Sequence, residues 1–123
     1  MLHDHRDALA VRATIRRDHP RSAWLRLLGQ VLQLAESHGE LVRHHERNWA
    51  SATFSGVRHT IVLSFTGNVA VAASERFIAA LDEHEFDIPG HLVADASVSE
   101  VSQEFLPEPQ LVATFELLLL EDL

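Results

Sequence analysis

Trp49-Ala50-Ser51-Ala52-Thr53-Phe54-Ser55-Gly56-Val57-Arg58-His59-Thr60-Ile61-Val62-Leu63-Ser64-Phe65 is the stretch on which the fold turns. Two runs with a period of two flank Ser55-Gly56, and a small residue followed by glycine between alternating runs signals a β-hairpin. With Ser55-Gly56 as a two-residue turn, Phe54 faces Val57, Ala52 faces His59 and Ala50 faces Ile61, all on the core side. The other side then carries Arg47, Trp49, Ser51, Thr53, Arg58, Thr60, Val62 and Ser64. This register depends on the turn length, because pairing in a hairpin is set by the loop.

Upstream, Trp24, Leu27, Leu28, Val31, Leu34 and Ala35 recur at helical spacing behind Ser22 as N-cap, and Gly39 supplies a stop. Further upstream, Leu9, Val11, Ala13 and Ile15 alternate with Arg12, Thr14 and Arg16 and read as a strand closed by Pro20. Residues 1–7 read as a mobile N-terminal tail. Downstream, a second helix starts between Val69 and Ser74 and runs to about Glu85, with Ala73, Phe77, Ala80, Leu81 and His84 on its inner side. Asp87-Ile88-Pro89-Gly90 ends it. His91 to Val101 alternates as a strand, with Leu92, Ala94, Ala96 and Val98 inside; Leu111 to Leu120 forms the last strand after the Pro107-Glu108-Pro109 loop.

The order β-α-β-β-α-β-β resembles the ferredoxin-like β-α-β-β-α-β sandwich with an additional C-terminal strand. The expected fold is therefore α+β: one domain over residues 1–123, with a five-stranded, mainly antiparallel sheet and two helices on one face. The resemblance is one of element pattern and implies no activity, since that superfold hosts many functions.

Composition narrows the chemistry. In 123 residues there is no cysteine, no lysine and no tyrosine, and all ten basic residues are arginine. That excludes disulfides, thiolate metal sites, cysteine nucleophiles, Schiff bases and a P-loop lysine. The net charge of −8 speaks against nucleic acid as a partner. It is unevenly distributed: residues 1–65 hold nine arginines against six acids, a balance of +3, while residues 66–123 hold Arg76 against twelve acids, a balance of −11. No signal peptide and no membrane-spanning apolar run are evident, so no membrane partner and a cytoplasmic location are expected.

Two helices cover one face of a sheet, and the other face must be solvated, bind a ligand or meet a partner. The expected open face carries Arg12, Arg16, Arg47, Trp49, Arg58 and Thr60, then Val93, Asp95, Val112, Glu116, Leu118 and Leu120. Its apolar residues point to a homodimer through that face, oriented by arginine against Asp95 or Glu116. A sharper alternative is an anion site on Arg12, Arg16, Arg47 and Arg58, because guanidinium groups hold carboxylate or phosphate bidentately. An enzyme built there would position an anionic small molecule with Arg47 and Arg58 and move a proton with His45.

No metal site, cofactor or catalytic residue is expected. His3-Asp4-His5 lies on the tail, and adjacent His44 and His45 point to opposite sides of an extended chain. His59, on the core face, reads as a hydrogen-bonded structural histidine. G-x-S-x-G, G-x-G-x-x-G and H-E-x-x-H are absent. The reading is thus a non-catalytic homodimeric binding or interaction module.

Overall fold

In a computed structural model, residues 21–121 are described; the expected strand at 9–15, the tail at 1–7, Arg12 and Arg16 lie outside them. A first helix, α1, is helical through 21–34. It is followed by β1 (Glu40–Ala50), β2 (Ser55–Thr66), α2 (Asn68–Ala80), a 3-10 turn (Leu81–Glu83), β3 (His91–Glu104) and β4 (Gln110–Glu121). The helix α2 tightens into its 3-10 turn earlier than the periodicity predicts, and His84 is already extended.

Among the described residues the sheet has four strands, in the order β1-β2-β4-β3, every pair antiparallel. This corrects the five-stranded, ferredoxin-like expectation. A split β-α-β unit needs its first strand in the middle of the sheet, beside the second strand of the hairpin. Here β4 occupies that place, pairing with β2 without interruption from Gly56↔Leu120 to Thr66↔Gln110. Two antiparallel hairpins joined through α2 satisfy the same element pattern, which is why element order alone did not separate the two topologies.

The hairpin register also differs. Ala50 pairs with Ser55, so the loop is Ser51–Phe54, closed by the Ser51 N–H donating to the Phe54 carbonyl at 2.7 Å. Ser55 and Gly56 belong to β2. Gly56 is there because β4 passes close by: a Cβ would clash with the Leu119 carbonyl oxygen and stand 2.9 Å from Leu120 Cα. Val57 consequently faces Asn48, six positions before the expected Phe54. A slip by an even number of residues keeps every side chain on its face. Arg47 and Trp49 therefore still share a face with Arg58, away from His59 and Ile61.

The core lies on the other face. Leu27 and Val31 of α1, Phe77 of α2, Ile61, Leu63 and Phe65 of β2, and Ala113, Phe115 and Leu117 of β4 form one buried cluster. Phe77 wedges between Phe65 and Phe115, edge-on to Phe115 at 5.1 Å. A bulge at Ala94 turns Val93 onto this core, correcting its assignment to the open face, and leaves Leu92 58% exposed opposite Leu120.

The helix α1 ends differently from its sequence signal. Glu36 and Ser37 take positive φ of 58° and 60°, and Ser37 N–H donates to the Leu32 carbonyl while Glu36 N–H donates to Gln33, a Schellman closure built without glycine. Glu36 so placed accepts two hydrogen bonds from the Arg76 guanidinium of α2, at 2.7 and 2.9 Å. Gly39 serves close packing instead: a Cβ there would crowd Leu63 and Phe65 at 3.1–3.3 Å.

Two substitutions read these backbone constraints. Gly56→Ala is expected to cost about 3 kcal/mol or more in a urea melt, since backbone rather than a flexible side chain must move. Ser37→Gly relieves a left-handed non-glycine residue without touching the Glu36–Arg76 pair, and is expected to gain about 0.5–1 kcal/mol.

Candidate functional site

The strand pairing sets two groups of polar side chains on opposite faces of β1 and β2. On the open face, successive rows run across the sheet. Arg47 lies opposite Arg58, which is followed by Leu118 and Asp95; His45, Thr60, Glu116 and Ser97 form the next row, and Arg43, Val62, Thr114 and Glu100 the third. Like charges directly opposite repel, and the Arg47–Arg58 pair is relieved by Asp95, 3.9 Å from the Arg58 guanidinium. Thr60 Oγ donates to Glu116 at 3.4 Å.

Arg47, Arg58 and His45, the residues expected to handle an anionic substrate, do line one cavity, with Thr60 and Glu116. Its volume is only about 80 Å³, well below the ~300 Å³ at which small-molecule sites usually begin, and Glu116 sets a negative charge in its wall. Trp49, half-buried, lies opposite Gly56 and lines a different, larger cavity of about 440 Å³ at the end of the hairpin, together with Glu46, His59 and Glu121. The structure thus brings Arg47 of β1 and Arg58 of β2 together and sets Trp49 two residues beyond Arg47 on β1. Leu118 and Leu120, expected to present apolar surface on this face, are each 7% exposed, and Val62 is 8% exposed.

The second group sits on the core side. His44 and Glu46 are two apart on β1 and share a face; His59 of β2 lies directly opposite Glu46. His44 Nε2 and His59 Nδ1 are 2.8 Å apart, one donating to the other, and Glu46 Oε2 is 3.8 Å from His59 Nδ1. One donor atom from each of the three residues lies within 4.8 Å of the others. Trp24 of α1 roofs the pair, stacked on His44 with ring centroids 3.5 Å apart and planes 4° apart, and on His59 at 5.1 Å. His59 is 2% exposed.

Burial pushes the His59 imidazole down to about 4, and the neighbouring His44 pushes it in the same direction. His44 is also lowered, mainly by burial, with Glu46 opposing. Both rings are therefore neutral at pH 7, where a donor-acceptor pair of imidazoles needs one nitrogen with hydrogen and one without.

This cluster escaped the sequence reading. Its signal was His44-x-Glu46 on one strand face, but the expected hairpin set His59 opposite Ala52 and left His44 ahead of the strand. Trp24 was legible only as one more apolar residue of α1.

Among the described residues the class of protein so defined is α+β, with two helices on one face of a four-stranded antiparallel sheet and no helix or strand on the second. No helix among the described residues is long and apolar enough to cross a membrane. No protein-family model matches the chain, and no curated protein does. Among solved structures it is similar to a chain of the "Virion of native gene transfer agent (GTA) particle", at 12% identity and a TM-score of 0.55, over 82% of this chain and 93% of that one. At that identity the likeness is one of fold.

The His59 environment has a measurable consequence. The unfolded chain takes up the His59 proton near pH 6.5 and the folded chain only near 4, so stability is complete above about pH 7 and falls as pH drops through that window. The loss reaches at most about 3 kcal/mol. Urea melts between pH 7.5 and 4.5, in chelator-containing buffer, are expected to show this decline, and His59→Gln to flatten it.

Proposed function

We propose that the chain is a non-catalytic assembly module that associates with a second copy of itself through the open sheet face, as a structural component of a larger protein particle. The observation that carries this reading is the charge order across that face. Arg43, Arg47, Arg58 and His45 stand on the β1–β2 half, and Asp95, Glu100 and Glu116 on the β4–β3 half. Two such faces related by a twofold axis parallel to the strands lay the basic half of each over the acidic half of the other. An axis perpendicular to the strands lays like on like and is repelled. Charge thus selects one isologous arrangement.

The apolar contribution is smaller than composition suggests, because Leu118, Leu120 and Val62 are already nearly buried within the chain. Trp49 and Leu92 remain at one end of such an interface and Val112 toward the other, with the charged rows between them. The fold likeness to a chain in a virion particle supports a structural role over a catalytic one. The small, acid-walled cavity at Arg47 and Arg58 adds weight against the anion-binding enzyme.

Association of this kind is salt-sensitive, since rim charges act through a screened field. Sedimentation at low ionic strength is expected to give a dimer of about twice the 13.8 kDa chain, dissociating as salt rises toward 1 M. Arg47→Glu with Arg58→Glu is expected to weaken it at least about 10-fold, a change of ~1.4 kcal/mol. Adding Asp95→Arg, at the other end of the same row, is expected to restore part of it. A monomer at micromolar concentration and low salt overturns the reading.

A further inference from the structure

We propose that His44, Glu46 and His59 form a binding site for a single divalent transition-metal ion of the zinc type. The site lies on the core-side face of the sheet and stands independently of the association through the open face.

Three observations carry it. The donor set is two imidazole nitrogens and one carboxylate oxygen, all within 4.8 Å of one another. Such a set suits zinc and its neighbours, whereas calcium and magnesium take oxygen ligands. The three residues come from adjacent positions of two paired strands, so the backbone holds their spacing: His44 and Glu46 are two apart on β1, and Glu46 and His59 are register partners. Finally, the site has a closed side and an open one. His59 is buried and Trp24 stacks over both rings, while the Glu46 side chain is 60% exposed and borders the cavity of about 440 Å³. Three protein ligands leave the fourth position to water, on the side of that cavity.

The rings need little movement. His44 Nε2 and His59 Nδ1 face each other at 2.8 Å; two Zn–N bonds of ~2.0–2.1 Å at a tetrahedral angle want their nitrogens about 3.3 Å apart. His44 and Glu46 lie on β1, an edge strand among the described residues, and can turn to meet an ion, while His59 stays fixed in the core. The ring that donates the shared hydrogen moves it to its other nitrogen, a change of tautomer with no net loss of a proton. The bound ion then replaces one hydrogen bond by three bonds that tie β1 to β2 beneath α1.

The test uses the full chain, stripped with chelator, and Zn²⁺ alone as the probe. Calorimetry at pH 7.5 is expected to show one ion per chain and no binding of Mg²⁺. Glu46→Gln, at an exposed position, and His44→Gln, at a half-buried one, are each expected to weaken binding at least about 10-fold, as is His59→Gln where circular dichroism shows it folded. His45→Gln, on the opposite face, is expected to change nothing. In a Trp49→Phe background the emission of Trp24 reports the ring it stacks on and is expected to shift on adding Zn²⁺. Absence of binding at millimolar Zn²⁺ overturns the proposal. So does binding that survives the His44→Gln, Glu46→Gln double variant, because other histidines would then hold the ion.

Discussion

The close approach of β4 to Gly56 is the constraint from which the rest of the structure follows. No side chain fits between Gly56 and the Leu119–Leu120 backbone, so β2 and β4 can run together to the end of the hairpin. That makes β4 a central strand, paired on both sides, with alternate residues buried from Leu111 to Leu119. The chain reaches this strand by passing from β2 through α2 to β3, parallel to β2, and returning antiparallel between the two. Phe115 is brought opposite Ile61, beside Phe77 of α2, and both helices then close over one core.

The same pairing determines what each face can do. On the core side it sets Glu46 opposite His59, with His44 one pleat away and Trp24 above. On the open side two of the three rows run from an arginine on β1 to an acid on β3, and the row between them runs from His45 to Ser97 with Glu116 on β4. The two groups share β1 and β2 yet face opposite ways, so the imidazole cluster and the charged face are physically separate. A substitution in one is expected to leave the other unchanged when the sites do not couple.

How far these features were legible depends on whether they rest on parity or on register. Parity survived. Arg47 and Trp49 lie on the side of Arg58, and His59 on the side of Ile61, because the hairpin slipped by an even number of residues. Register did not survive, since Gly56 carries the sequence mark of a turn while its role is steric. That one ambiguity moved Val57 from Phe54 to Asn48 and concealed the pairing of Glu46 with His59. The bulge at Ala94 is a second case: an alternating run gives no sign of the extra residue that returns Val93 to the core. The end of α1 is a third, for Glu36 and Ser37 take the left-handed conformation normally marked by glycine, and Gly39 drew the boundary instead.

The corrected topology also changes the meaning of the charge arithmetic. A ferredoxin-like sheet would insert a strand from the arginine-rich first segment between the hairpin and the acidic strands, mixing the signs at the centre of the sheet. In the order β1-β2-β4-β3 the chain crosses the sheet once, through α2, and its halves stay apart: β1 and β2 come from the +3 segment, β4 and β3 from the −11 segment. The sequence asymmetry thereby becomes a gradient across one face, perpendicular to the strands. Such a gradient is self-complementary under only one family of twofold axes, those parallel to the strands. A balanced face of equal total charge would choose no orientation at all, so the arginine-only basicity of this chain matters through where the strand order deposits it.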